Sequence, residues 1–257
     1  MFLQNLQFLV IPLKSSKMFE HKINFGGIKE NILIKKNIFQ PNLTTQLSYE
    51  TAINIIKNQY EVLDLGCGSG IIGIMIMKKF PNVKMNCSDV DSNSIDLTIK
   101  NFKKKKIKAD IRKGDLLEVW SNKKFDYIIN DVSGISSSIA KKSIWFSNNV
   151  PCDTGKDGSR LSVKIIKNSV KFLKKNGILQ IPLISLSNIK KIIDTANIYF
   201  SEVKIHKSKD WFLPKEMESL KELMYKLKKL KYINFSEKFG KIVCNTAIAV
   251  CKGPKKK

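Results

Sequence analysis

Arginine is almost missing from this chain of 257 residues: only Arg112 and Arg160 occur, so the formal charge of +24 is carried almost wholly by lysine. Neutralising phosphates with cations releases condensed counterions, so such a charge points to polyanionic partners, nucleic acid first among them. Fork-shaped recognition of bases and phosphates favours arginine, however, so the charge alone does not establish an RNA substrate. The abundance of lysine, isoleucine and asparagine together fits a genome-wide compositional bias equally well, and nothing in the sequence specifies an oligomeric state. Paired cysteines are missing too. Cys67, Cys87, Cys152, Cys244 and Cys251 are odd in number and widely spaced, with no CxxC unit; this argues against a zinc site and for reduced thiols in a cytoplasmic protein. No metal is called for. Long apolar runs are absent as well, so no membrane span is expected. The apolar stretch Met1 to Leu13 has no preceding positive charge and no small-residue cleavage site after it, unlike a signal peptide. It reads as a strand joining the hairpin behind it, or as residues ahead of a start at Met18.

What is present is one α/β domain's worth of alternating signals. Lys22 to Phe25 and Asn31 to Ile34 flank Gly26-Gly27, a hairpin pattern. Thr44 to Lys57 reads as a helix capped by Thr44 or Thr45. Short apolar strands at Glu61 to Leu65, Lys84 to Ser88, Lys108 to Arg112 and Tyr127 to Asn130 alternate with helices at Ile71 to Phe80 and Ser92 to Phe102. Such alternation predicts a mostly parallel sheet with helices on both faces. The pattern continues with a helix at Leu161 to Leu173, a strand at Gly177 to Ile181, a helix at Ser187 to Ala196 and strands at Glu202 to Lys207 and Ile242 to Cys251. The aromatic and lysine-rich segment 210–240 interrupts it as a helical insertion, centred on Pro214 to Leu230. The runs Lys103 to Lys106 and Lys255 to Lys257 read as solvated charge.

The segment Val62-Leu63-Asp64-Leu65-Gly66-Cys67-Gly68-Ser69-Gly70 sets a buried strand against a glycine turn and then a helix from Ile71. Glycine lets main chain adopt positive φ and approach a ligand closely, and the helix start behind it offers free N–H groups. Gly68, Gly70 and Gly73 also satisfy GxGxxG, a weak indication of dinucleotide binding. Asp64 decides against that reading, because a carboxylate beside the turn suits an ammonium and a sulfonium better than a pyrophosphate. On these residues the chain resembles the class I S-adenosylmethionine-dependent methyltransferases, in particular the methyltransferase small domain group that includes the release-factor glutamine methyltransferases. The resemblance runs from about Asn37 to Ile181 and is densest from Glu61 to Asn130. It implies a Rossmann-like, seven-stranded, mostly parallel sheet, with residues 1–45 as a hairpin-bearing extension and residues 46–257 as the methyltransferase domain.

The resemblance also implies roles. Asp64, Gly66, Cys67, Gly68 and Gly70 would hold the methionine part of S-adenosylmethionine, Asp89 with Val90 its ribose, Asp115 with Leu116 its adenine, and Asn130, at the tip of the fourth strand, the reacting edge. The product would be S-adenosylhomocysteine. Phe39 to Thr45 resembles the segment covering the cofactor, and Gly155-Lys156-Asp157-Gly158 the Gly-x-Asp-Gly step that follows. Members that methylate planar nitrogen read Asn-Pro-Pro-Tyr after the fourth strand; here Asn130-Asp131-Val132-Ser133 stands instead, without the prolines or the stacking ring. Glutamine, adenine and guanine therefore do not carry over as acceptors, and release-factor methylation is disfavoured also by the short, hairpin-like extension. Asp131 is a candidate general base or partner for an ammonium; capping of a turn explains it equally well. Trp211 to Gly240 and Ile144 to Asp157 are the expected lid segments. Aromatics among lysines, as in Trp211, Phe212, Tyr225 and Tyr232, suit an RNA face, although packing of an apolar stripe is the simpler account. His21 and His206 receive no role. The expected activity is methyl transfer to nitrogen or oxygen of a protein, RNA or small molecule. The alternatives are an inactive cofactor- or RNA-binding subunit and an NAD-dependent oxidoreductase, for which no Tyr-x-x-x-Lys pair is suitably placed.

Overall fold

The computed structural model describes residues 18–25, 27–132, 134–146 and 152–255. The apolar stretch before Met18, Gly26 of the hairpin turn, Ser133 and the last two lysines lie outside the described residues. Among the described residues two antiparallel strands come first, β1 (Phe19–Phe25) and β2 (Ile28–Ile34). Their alternation turns Ile23, Phe25, Ile32 and Ile34 inward. Helix α1 (Leu43–Ala52) is capped by Asn42, whose side chain accepts from the Thr44 and Thr45 amides while Thr45 closes a capping box. The expected caps Thr44 and Thr45 are thus the second and third residues of the helix. The expected end at Lys57 is also overturned, because Asn54 and Ile55 donate to Thr51 and Ala52, i to i−3 bonds that tighten the final turn.

Then β3 (Glu61–Leu65), α2 (Ile71–Lys79), β4 (Lys84–Asp89), α3 (Ser92–Lys104), β5 (Asp110–Lys113) and β6 (Phe125–Asn130) follow in turn. After a short α4 (Ser137–Ala140) come α5 (Arg160–Ser169), β7 (Leu173–Ile184), α6 (Ile189–Tyr199) and β8 (Phe200–Phe212), then α7 (Lys221–Lys229), β9 (Ser236–Lys238) and β10 (Lys241–Pro254). Leu173, expected to end a helix, opens β7 because it pairs with Phe125 of β6. The sheet runs β5-β4-β3-β6-β7-β10-β8, with short β9 added to β10. β10 is antiparallel to both neighbours and the strands from β5 to β7 are parallel. This is the expected mostly parallel architecture of seven strands, with an eighth three-residue strand at the insertion.

Successive side chains on a strand face opposite ways, which gives two cores. Val62, Met85, Cys87, Tyr127 and Ile129 pack with α2, α3 and the hairpin; Leu63, Leu65, Ile128, Leu179 and Ile181 pack with α5 and α6. The hairpin is tied to this body by polar clamps. Asn101 of α3 accepts from the Leu33 amide at 2.7 Å and donates to its carbonyl at 2.9 Å. Glu30, 5% exposed, is paired with both Lys78 and Lys105, which hold its carboxyl below the usual range against the opposing effect of burial. A third cluster gathers Ile135, Ile139, Leu213, Met217, Met224, Leu227 and Phe235, so the insertion packs beside the sheet's end. Among the described residues no helix is long and apolar enough to cross a membrane.

Candidate active site

The parallel strands β3, β4, β5 and β6 all end on one edge, where a doubly wound sheet presents its loops to ligands. A cleft opens there between the turn after β3, the ends of β4 and β6, the loop after β5, and the segment leading into α1. The turn is shaped by Gly66, Gly68 and Gly70, with φ of +81°, +55° and +76°. These glycines do different work. A Cβ on Gly66 would meet Val132 at 2.9 Å and its backbone at 3.1 Å, whereas one on Gly68 would meet nothing within 4 Å. Gly66 therefore packs strand against loop, and Gly68 leaves bare main chain facing the cleft. Gly70 begins α2 against Thr98 and Phe102 and does not line the cleft surface.

Asp89 fastens this turn to β4. Its Oδ2 accepts from the Gly68 amide at 3.0 Å and its Oδ1 from the Asp91 amide at 2.9 Å. Burial raises its pKa, and the amides of Asp91 and Gly68 oppose the rise. A carboxylate offers about four acceptor positions, so both oxygens retain capacity toward the cleft, with Val90 exposed beside them. Leu116 also lines the cleft, in the left-handed region at φ +50°, uncommon for a branched apolar residue and frequent near ligand sites. Asp115 stands beside it at the rim, paired with Lys164 at 2.7 Å.

The two residues expected at the reacting edge part company. Asn130 is fully buried; its Oδ1 accepts from the Val132 amide at 3.0 Å, and it lies off the cleft surface. Asp131 lines the cleft, with Thr45 Oγ1 donating to its Oδ2 at 3.1 Å. Burial lifts the Asp131 carboxyl to about 7, although the Thr45 hydroxyl opposes this. Asp64 lies behind the turn, 0% exposed, off the cleft surface, and neither carboxyl oxygen has a hydrogen-bond partner of normal geometry among the described residues. Burial, then the charges of Asp131 and Asp89, push it up to about 8, and the Gly73 amide offsets only part of this. Cys67 lines the cleft with its thiol buried and near Thr98.

The far wall is aromatic. Phe39 and Phe146 lie 5.2 Å apart, and Trp145 meets Trp211 edge to face at 5.6 Å. All four line the cleft, and Trp211 Nε1 donates to Thr246. The wall rests on the third core, so the insertion supports it from behind. Sequence reasoning named these segments as lid but missed that residues from positions 39, 146 and 211 meet at one wall, and it missed the Thr45 to Asp131 bond entirely. No local signal carries either, because the partners are far apart in the chain.

Residues 44–131 match the family model described as methyltransferase small domain. A release factor glutamine methyltransferase of Clostridium botulinum is 30% identical over 187 residues, covering 66% of this chain and 64% of that protein. A ribosomal protein L11 methyltransferase of Thermosipho melanesiensis is 30% identical over 169 residues, covering 65% and 52%. The chain thus spans less than two thirds of the length of these relatives. In fold, it superposes on a T. thermophilus 16S rRNA N2 G1207 methyltransferase in complex with AdoMet and guanosine, with a TM-score of 0.58 at 11% identity, over 94% of this chain and 52% of that one.

Proposed function

The chain carries a methyltransferase small domain at residues 44–131, and from that premise we propose that it transfers a methyl group from S-adenosylmethionine to a nucleophilic nitrogen or oxygen held beside Asp131. The observation that carries this reading is the bare turn at Gly68, fastened by Asp89 and continuous with a cleft that reaches Asp131. Residues present fit the cofactor: open main chain at Gly68 for a flexible tail, spare acceptor capacity on Asp89 for two hydroxyls, and apolar Val90 and Leu116 for a flat ring. When bound, S-adenosylmethionine supplies a methyl group already activated on a sulfonium.

The chain's part is alignment and proton handling. Asn130 fixes the Asp131-Val132 turn by accepting from the Val132 amide. Thr45 holds one Asp131 oxygen by its hydroxyl and leaves the other to accept an acceptor's N–H or O–H. With its carboxyl near 7, Asp131 is poised to take that proton at neutral pH. The four rings of the far wall give the cleft an apolar face. The acceptor class, whether protein, RNA or small molecule, is not set by these features.

Incubation of the protein with methyl-labelled cofactor and fractionated cell extract tests the proposal; label should enter one acceptor fraction. Cofactor binding without any labelled product would favour an inactive binding subunit and overturn it. With the acceptor in hand, kcat/KM should rise with pH through about 7 as Asp131 ionises, and Asp131→Asn should lose most activity and the rise together. A pH profile left unchanged by that substitution would remove Asp131 as the base. Gly68→Ala separates cradle from fold: alanine at positive φ costs about 1–2 kcal/mol, while its methyl enters the cleft. Calorimetry should show S-adenosylhomocysteine affinity reduced at least tenfold, with cooperative unfolding retained.

A further inference from the structure

The hairpin between β9 and β10 carries a feature that the cleft does not explain. Phe239 is 96% exposed, the most open large apolar side chain of the described residues. It stands at φ +52° and is followed by Gly240 at +68°, while Lys238 and Lys241 pair across the strands on either side. Positive φ at both central residues defines the type I′ turn, which favours Asn-Gly and disfavours a bulky ring. Facing lysines on one ladder rung repel each other. The tip therefore holds two unfavourable choices in one four-residue turn, each without a folding benefit, since the ring packs on nothing.

Both choices make sense against a polyanion with exposed flat rings. The surrounding chain from Lys226 to Lys241 contains six lysines and one glutamate, and Lys226, Lys229, Lys231, Lys238 and Lys241 are exposed. Some lysines elsewhere are matched with acids, as Lys78 and Lys105 are with Glu30 and Lys164 with Asp115; none of these five has an acid within ion-pair distance among the described residues. Tyr225 and Leu230 are exposed on the same insertion. That insertion is also the one whose core backs the cleft's aromatic wall at Trp211 and Trp145.

We infer that the insertion is an RNA-docking arm, in which Phe239 stacks on an unpaired base and the neighbouring lysines hold the phosphates on either side, making RNA the acceptor class. Lysine supplies point charge rather than a planar fork, so the arm grips backbone and stacks on any base, without reading sequence. A lipid surface is the less suitable partner, because a single ring offers little apolar area to bury in a membrane. The inference rests on the methyltransferase proposal only for what the arm serves; docking itself needs no cofactor.

The test uses the full chain and a fluorescently labelled RNA hairpin with an unpaired uridine loop, titrated by anisotropy without cofactor. Phe239→Asn should weaken RNA binding about tenfold, by loss of one stacked base, yet raise Tm because Asn-Gly suits the turn. Phe239→Trp should keep the affinity. Lys229→Glu with Lys238→Glu and Lys241→Glu should flatten the dependence of binding on salt. Equal RNA affinity for the wild type and Phe239→Asn overturns the inference, as does binding of the wild type to vesicles containing phosphatidylserine but not to RNA. Calorimetry with S-adenosylhomocysteine runs in parallel: its failure in the wild type sinks the transferase proposal and leaves the RNA result to stand or fall separately.

Discussion

Asp89→Ala is expected to weaken S-adenosylhomocysteine binding by about a hundredfold or more. The carboxylate already accepts from two amides, at 3.0 Å and 2.9 Å, and its remaining acceptor positions face the cleft. Two hydroxyl bonds to an ionised carboxylate are each worth about 1.5–3 kcal/mol, and each 1.4 kcal/mol is a factor of ten. Alanine removes both bonds and also unties the Gly68 amide, so the loop itself slackens. Asp89→Asn separates these effects, since its one carboxyl-like oxygen can serve the loop or the ligand but not both fully; it should lose roughly tenfold. Calorimetry with each variant reads the affinities, and thermal unfolding reads the loop's share. Affinity unchanged in Asp89→Ala would remove Asp89 from the ribose position.

What made Asp89 and the glycine turn legible in the sequence is that their requirements are local. Positive φ at Gly66 and Gly68 follows from a tight turn between a strand and a helix, and an acid ending the next parallel strand falls at the same sheet edge whatever the loops do. The alternation of short apolar strands with amphipathic helices likewise dictated the sheet and its two cores. Element ends were less legible, because they were settled by partners: Asn42 outcompeted the threonines as cap, and Phe125 drew Leu173 into the sheet. Asn130 and Asp131 could not be separated from sequence, since which one meets the cleft depends on the bond from the Val132 amide to Asn130. Nor could Thr45 be matched to Asp131, 86 positions away, or Phe39 to Phe146, because such pairings exist only once α1 has docked on the sheet. Phe239 escaped notice for the opposite reason: a single phenylalanine beside glycine has no period to mark it.

Asp64 should make the protein less stable as pH rises, which is the reverse of the usual behaviour of a carboxylate in an ion pair. Its carboxyl is buried, lacks a partner of normal geometry among the described residues and is pushed up to about 8, whereas in the unfolded chain it ionises near the ordinary value of about 3.9. Between those values the folded protein holds a proton that the unfolded protein has released. Stability is therefore greatest below about pH 4 as far as this group is concerned, falls through the neutral range and levels off above about pH 8. At about 1.4 kcal/mol per unit, the full span is on the order of 5 kcal/mol, an upper limit because Asp131 ionises in the same range and shares the repulsion. Asp64→Asn removes the titration while keeping the shape. Urea unfolding should find this variant more stable than the wild type by several kcal/mol near pH 9, and no more stable near pH 4. A difference that does not change with pH would mean that Asp64 stays ionised in the folded state. A cation seated on the turn in front of Asp64 would favour the ionised form that burial opposes, so under the proposed function a positively charged cofactor should flatten this pH dependence when it binds.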